Sequence, residues 1–347
     1  MKITLIPIFL SIIHVTLSAP ALTFPTPKIG EDIVKYTEAF LSIFITLLDN
    51  NFPVVQIGNL VPDLSLDFNM KVVEPFAKDL PNYNTEFPVE GLDQGKVKWL
   101  VEAENRTKDD PVIIYSHGGG YVFGVFPFFP FLFTRIYQET GNNRLSILML
   151  DYKLSLEEKY PYQLGELALV YNKIAESSNN IILAGDSAGV HLSLNLLRHS
   201  KFPVSGVNQV SAGNITGGLF FSPWVNMYVD DTTGSHEYNM GKDILTPKII
   251  REGGKQFVPS SNLLTSNVVN FYNDTEANWK ELVPKNVLAT YGGHEIMETD
   301  DKSWFELAGL SGDQIFEDKG AIHDAVIFTP DLSAVVPKAV EFLKTNY

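Results

Sequence analysis

The 347-residue sequence contains no cysteine, which excludes disulfide bridges, thiolate metal sites and cysteine nucleophiles together. Basic residues are scarce: 26 lysines and arginines stand against 41 aspartates and glutamates, a net charge of −15 at pH 7. Nucleic acid and anionic membrane surfaces both demand basic patches, so neither is an expected partner. Internal repeats, low-complexity tracts and Pro/Gly/Ser-rich linkers are missing too, which favours one large domain with appendages. With 45% hydrophobic and 19% charged residues, the composition is that of an ordinary globular protein.

The apolar run over residues 5–15 is shorter than the roughly 20 residues needed to cross a bilayer. With Lys2 before it and small residues from Ser18 to Ala21 after it, residues 1–21 read as a secretory signal, the alternative being an uncleaved anchor. The expected localisation is therefore secretion, or retention in the lumen of the endoplasmic reticulum or another membrane-anchored state. Sequons at Asn105, Asn214 and Asn273 are compatible with that route. Residues 31–49 have helical spacing of apolar residues and are nearly apolar all round in their second half. They predict a helix that covers the domain, closes a lipophilic pocket or touches a membrane surface.

What the chain does contain is Gly185-Asp186-Ser187-Ala188-Gly189, directly after the apolar run Ile181-Ile182-Leu183-Ala184 and before a helical pattern over 190–199. A strand, a serine framed by glycines and a helix form a nucleophile elbow, in which a sharp turn presents the serine hydroxyl. The glycines leave room for that turn. Further short apolar runs over 97–101, 111–115, 146–150, 218–221 and 286–291 predict buried strands, with helical patterns over 128–139, 161–176 and 188–199 between them. Such alternation predicts an α/β fold with a mostly parallel sheet covered by helices on both faces, and a site in loops at the carboxyl ends of the strands.

One such loop, Ser116-His117-Gly118-Gly119-Gly120-Tyr121, follows the 111–115 strand. Its glycines allow backbone N–H groups to approach a ligand as an oxyanion hole requires; Gly118 and Gly119 are the expected donors, with Gly120 in support, and the N–H of Ala188 beside the nucleophile completes the set. His117 reads as a loop brace, since the base of this architecture follows the serine in the chain.

Four stretches in order, His117-Gly-Gly-Gly-Tyr-Val-Phe-Gly124, Asp151-Tyr-Lys-Leu-Ser-Leu-Glu157 with Tyr160-Pro161, Gly185 to Gly189, and Ser222-Pro-Trp224, resemble signatures of the hormone-sensitive-lipase-like branch of the α/β-hydrolases. The secretory start and a Gly-His-Glu pattern at 293–295 are similar to the fungal steryl acetyl hydrolase and arylacetamide deacetylase relatives. The resemblance implies an α/β-hydrolase domain over 95–347, preceded by an N-terminal helical or cap segment over 22–94. It also implies a triad in the order serine, acid, histidine. Glu295, with Met297 two positions on, occupies the place where the family usually has aspartate and an aliphatic residue; Asp300 and Asp301 are the competing acids, otherwise read as helix N-terminal charge. Glutamate can equally accept a hydrogen bond from histidine Nδ1 and stabilise the imidazolium. Of the seven histidines, His323 in the family's Gly-x-x-His-Asp pattern, after a strand near 314–316 and before a helix over 332–343, is the expected base. His191 reads as packing on the elbow helix, and Asp186 as a brace for the elbow and the oxyanion loop. Val190 stands where the family often has glycine, which could alter pocket depth or helix packing.

Residues 225–285 lack any sheet pattern and predict a cap insertion. The phenylalanines from Phe123 to Phe133 predict mostly core, with some lining an apolar substrate pocket. The resemblance implies a serine carboxylesterase without metal or cofactor, acting on short acyl esters, acetyl among them, of hydrophobic alcohols such as sterols. The alternatives are an amidase or peptidase on the same triad and a catalytically silent ligand-binding protein.

Overall fold

The computed structural model describes residues 53–61, 63–229 and 232–347; the expected signal over 1–21 and helix over 31–49 lie outside them. Strands β1 (Thr85–Glu86), β2 (Val97–Val101), β3 (Val112–Ser116), β4 (Ser146–Leu150), β5 (Ile181–Asp186), β6 (Ile215–Phe221), β7 (Asn286–Gly292) and β8 (Ile315–Asp318) form one sheet in the order β1-β2-β4-β3-β5-β6-β7-β8. The pairs β1–β2 and β2–β4 are antiparallel and every other neighbouring pair is parallel.

The central strands are apolar on both faces because both faces are covered. Every residue of β3, β4 and β5 is buried. Ile114, Leu148 and Leu183 face α4 (Tyr162–Ala175) and α5 (Ala188–Lys201), while Ile113, Ile147 and Ile182 face α3 (Phe128–Thr140) and α11 (Val335–Asn346). Alternate residues of a strand point to opposite faces, so one sequence feeds two cores.

Sheet order also decides what meets at the carboxyl edge. Ser116 pairs with Gly185, and Asp186 with Phe221, so β3 and β5 end side by side and β6 ends next to β5. Beyond them, β7 and β8 complete the edge. Five chain segments distant in sequence are thereby brought into one row of loops.

Above this edge lie α6 (Ser235–Tyr238), α7 (Pro247–Phe257) and α8 (Trp279–Leu282), with no strand among the described residues of 225–285. Thr246 caps α7 by accepting the Ile249 N–H at 3.3 Å, and Pro247 opens the helix. Helix α1 (Val54–Leu60) joins it from the N-terminal side: the Val54 N–H donates to Glu252 Oε2 at 2.9 Å. None of the described helices is long and apolar enough to cross a membrane. The remaining described helices are α2 (Leu66–Ala77), α9 (Glu298–Ala308) and α10 (Ala325–Phe328).

Candidate active site

Ser187 sits between β5 and α5 with φ 47° and ψ −115°, a left-handed backbone that a serine adopts only where its surroundings impose it. Both flanking glycines are obligatory on steric grounds. A Cβ on Gly185 would lie 2.5 Å from the Gly189 carbonyl carbon, and a Cβ on Gly189 would lie 1.9 Å from the Ser116 carbonyl oxygen. The turn aims the hydroxyl at His323, whose Nε2 is 2.9 Å from Ser187 Oγ. On the other side of the ring, His323 Nδ1 lies 3.0 Å from Glu295 Oε2.

Glu295 is fully buried and held at its second oxygen, which accepts the Ser222 hydroxyl at 2.7 Å and the Gly292 N–H. The Ser222 oxygen also accepts the Asp324 N–H at 3.2 Å, so one hydroxyl ties the acid loop to the loop carrying His323. Sequence reading passed over Ser222 as part of a signature. Its place at the end of β6, next to the nucleophile strand, was the available signal.

Asp300 and Asp301, the competing acids, open α9 and do not reach His323. Asp300 instead takes His236 Nε2 at 2.8 Å and the Asn226 amide at 3.2 Å, and Asp301 is buried without a side-chain partner among the described residues.

The glycine loop after β3 differs from the sequence expectation at Gly118. Its N–H donates to Asp186 Oδ1 at 3.0 Å and is therefore not free to serve as an oxyanion donor. A Cβ there would lie 2.1 Å from Asp186 Oδ2, so Gly118 is required for close packing against that carboxyl. Gly119 (φ 95°) and Gly120 (φ 61°) carry the backbone onward and line the cleft. The N–H groups of Gly119, Gly120 and Ala188 have no acceptor among the described residues.

Asp186 also accepts the Tyr115 hydroxyl, which fixes it between the sheet and the loop. His117 stacks on Tyr152 with ring centroids 4.1 Å apart, and its Nδ1 donates to the Gly118 carbonyl at 2.7 Å. Burial pushes its pKa down to about 3, so it is a neutral brace. His191 receives the Tyr121 hydroxyl at Nδ1 (2.7 Å) and gives Nε2–H to the Val269 carbonyl (3.0 Å), linking the glycine loop to residues 225–285. Val190 is fully buried in the core and does not line the cleft, so the departure from glycine leaves pocket depth unaffected.

Carboxyls set the electrostatics of His323. Burial alone would depress the His323 imidazole, yet Asp324 and Glu295 outweigh it and hold its pKa well above the ordinary value. Asp324 Oδ2 stands 3.2 Å from Nε2. Burial is the first cause that raises Asp324 and Asp186; at Asp186 the charge of Asp324 adds to it, whereas at Asp324 the neighbouring His323 opposes it.

A model of the steryl acetyl hydrolase family matches residues 31–323. The chain belongs to this family. It is 27% identical over 337 residues to the provisionally named steryl acetyl hydrolase mug81 of Schizosaccharomyces pombe, covering 87% of each protein. It is 26% identical over 208 residues to Steryl acetyl hydrolase 1 of Saccharomyces cerevisiae, covering 56% of this chain and 47% of that protein. Among solved structures, an esterase of the bacterial hormone-sensitive lipase family superposes with a TM-score of 0.61 at 20% identity over 88% of this chain and 97% of that one. A thermostable esterase from Pseudomonas putida does so with a TM-score of 0.61 at 18% identity over 93% and 99%. The fold is thus that of the hormone-sensitive-lipase-like α/β-hydrolases, and this steryl acetyl hydrolase family member is a carboxylic ester hydrolase.

In this family member the serine opens into a predominantly apolar cleft. Phe123, Phe126, Phe128 and Phe129 wall one side, whereas Phe131 and Phe133 of the same run are core. Ile244, Leu245, Ile249, Ile250 and Gly253 wall the other, with Trp224 beside the serine. Gly253 lets α7 come close: a Cβ there would be 3.2 Å from the Trp224 ring and 3.7 Å from the Gly120 carbonyl oxygen.

Proposed function

We propose that the protein hydrolyses short-acyl esters, acetates first among them, of hydrophobic alcohols such as sterols, through a Ser187–His323–Glu295 triad and an acyl-enzyme. The observation that carries this reading is the unbroken hydrogen-bond line from Ser187 Oγ through His323 to Glu295, at 2.9 and 3.0 Å, on the floor of an apolar cleft. Ser187 Oγ attacks the ester carbonyl while its proton passes to His323 Nε2; Glu295 accepts the Nδ1 hydrogen bond and stabilises the imidazolium. The carbonyl oxygen becomes an oxyanion received by the N–H groups of Gly119, Gly120 and Ala188. The imidazolium then protonates the departing alcohol as the carbon–oxygen bond breaks, leaving acetyl on Ser187. Water, deprotonated by His323, attacks that ester, and the carboxylic acid leaves as the serine regains its proton.

The apolar walls of the cleft support a greasy alcohol. Two relatives carry steryl acetyl hydrolase in their names, which supports acetyl as the acyl group. The test compares hydrolysis of a sterol acetate, a water-soluble acetate, a nitrophenyl acetate and an acetanilide by wild type and Ser187→Ala. Activity on the esters that vanishes in the variant, with the sterol acetate preferred by kcat/KM, is the expected result. Preference for the anilide makes the protein an amidase; equal rates in both proteins overturn the triad. We also propose entry into the secretory pathway, supported by the character of residues 1–21.

A further inference from the structure

From the first residue of α6 to the start of α7 the chain runs against the loop that carries Glu295. The Ser235 hydroxyl donates to the Ile296 carbonyl at 2.7 Å and accepts the Thr299 N–H at 2.9 Å. The Asn239 amide donates to the Glu295 carbonyl at 2.9 Å. Asp243 continues this contact and extends it. Its Oδ2 accepts the Ile296 N–H at 2.9 Å, one residue past the acid, and its Oδ1 accepts the N–H of His323 itself at 2.9 Å. The same Oδ1 also accepts the N–H of Ile244, which orients the carboxyl from its own backbone.

We propose that Asp243 is a positioning residue that sets the separation of Glu295 and His323 and couples it to the wall of the substrate cleft. The inference rests on the triad reading above. One rigid carboxylate holds the backbone of the base and the backbone beside the acid at once, so the two loops move together or not at all. Ser222 bridges the same loops from the sheet side, at Glu295 Oε1 and the Asp324 N–H; Asp243 does so from the cleft side. The next residues, Ile244 and Leu245, line the cleft, and Thr246 then caps α7. A bulky alcohol pressing on that wall therefore bears on the residue that aligns the base. Ile296 and His323 both lie far from Asp243 in sequence, and each is held by a different one of its two oxygens.

Asparagine in this position keeps one acceptor oxygen but turns an N–H₂ group toward the other N–H; alanine removes both acceptors. Misplacement of a reacting group by about 1 Å is enough for a rate loss on the order of 100-fold. The experiment measures kcat and KM for nitrophenyl acetate in Asp243→Asn, Asp243→Ala, Glu295→Gln and the double variant Asp243→Asn/Glu295→Gln, well below each melting temperature. The expected result is a kcat loss of about 10-fold for asparagine and about 100-fold for alanine, with KM changed less than about 3-fold, and no further loss when Asp243→Asn is added to Glu295→Gln. Wild-type kcat in a folded Asp243→Asn or Asp243→Ala protein, a loss confined to KM, or losses that multiply in the double variant overturn the proposal while leaving the triad in place. Wild-type kcat in Glu295→Gln overturns the triad reading instead, and this proposal with it. Should alanine fail to fold, the asparagine variant and the double variant decide.

Discussion

Asp324 Oδ2 stands 3.2 Å from His323 Nε2, the same nitrogen that faces Ser187 Oγ at 2.9 Å. Carboxyls thus stand at both ring nitrogens, Glu295 at Nδ1 and Asp324 at Nε2, and both favour the imidazolium form of His323.

This relationship predicts the direction of a pH shift. Charge on Asp324 stabilises the imidazolium and raises the His323 pKa, and the base acts only when deprotonated. Asp324→Asn should lower that pKa, so the rising limb of kcat/KM against pH moves to lower pH. A limb that stays in place or moves upward contradicts the assignment.

Glutamate as the acid can be tested against its rivals. Glu295→Gln should lower kcat by roughly 1,000-fold or more, because the amide cannot stabilise an imidazolium as a carboxylate does. Glu295→Asp should lose less, about 10- to 100-fold, since the shorter side chain cannot reach Ser222 and His323 together. Asp300→Asn should leave kcat within about 3-fold of wild type; large losses there with an active Glu295→Gln would move the acid to α9.

A methyl group at position 189 has no room, as its contact with the Ser116 carbonyl oxygen would be 1.9 Å. Gly189→Ala should therefore separate the elbow from β3 and cost both activity and several degrees of melting temperature. Thermal denaturation alongside nitrophenyl acetate hydrolysis checks both, and a variant of normal stability and rate would show that the elbow yields.

Glu166 on α4 concerns stability alone. Burial pushes its pKa up to about 7, although its Oε2 accepts the Lys153 N–H at 2.7 Å. The unfolded chain ionises near 4.5, so between there and 7 folding takes up a proton and stability falls as pH rises. Glu166→Gln should match wild type near pH 5 and exceed it near pH 8 by about 2 kcal/mol, read from denaturant melts at the two pH values.

On the proposed secretory route the three sequons are not equivalent. Asn105 and Asn273 are exposed, whereas the Asn214 amide is half-buried and donates to the Ser178 carbonyl at 3.0 Å. Enzymatic deglycosylation should remove two glycans, and Asn214→Gln should leave the mass of the glycosylated protein otherwise unchanged. A glycan on Asn214 would refute this reading of the surface.

Much of the fold was legible before any coordinates. The apolar runs that became β3, β4 and β5 are continuous because a parallel strand is buried on both faces, and Gly185 and Gly189 announce a turn that nothing larger fits. Helices α1 and α2 fall within the helical or cap segment expected over 22–94, although their bounds were not legible, and the two-residue β1 there was not expected, since short elements at the rim owe their conformation to the domain they pack on.

The sequence by itself determined the order of strands and helices, the elbow and the glycine loop, because each is written in local periodicity or in steric demands on neighbouring residues, whereas Glu295 and His323 stood out through the family resemblance. Only the tertiary structure decided that Gly118 gives its N–H to Asp186, that Ser222 and Asp243 hold the acid and base loops from opposite sides, and that Asp324 shares the nitrogen of His323 with the serine. The decisive pairings join backbone and side-chain groups from different strand ends, many of them tens of residues apart. Their partners are set by sheet order and loop geometry, which no pattern within a single segment encodes.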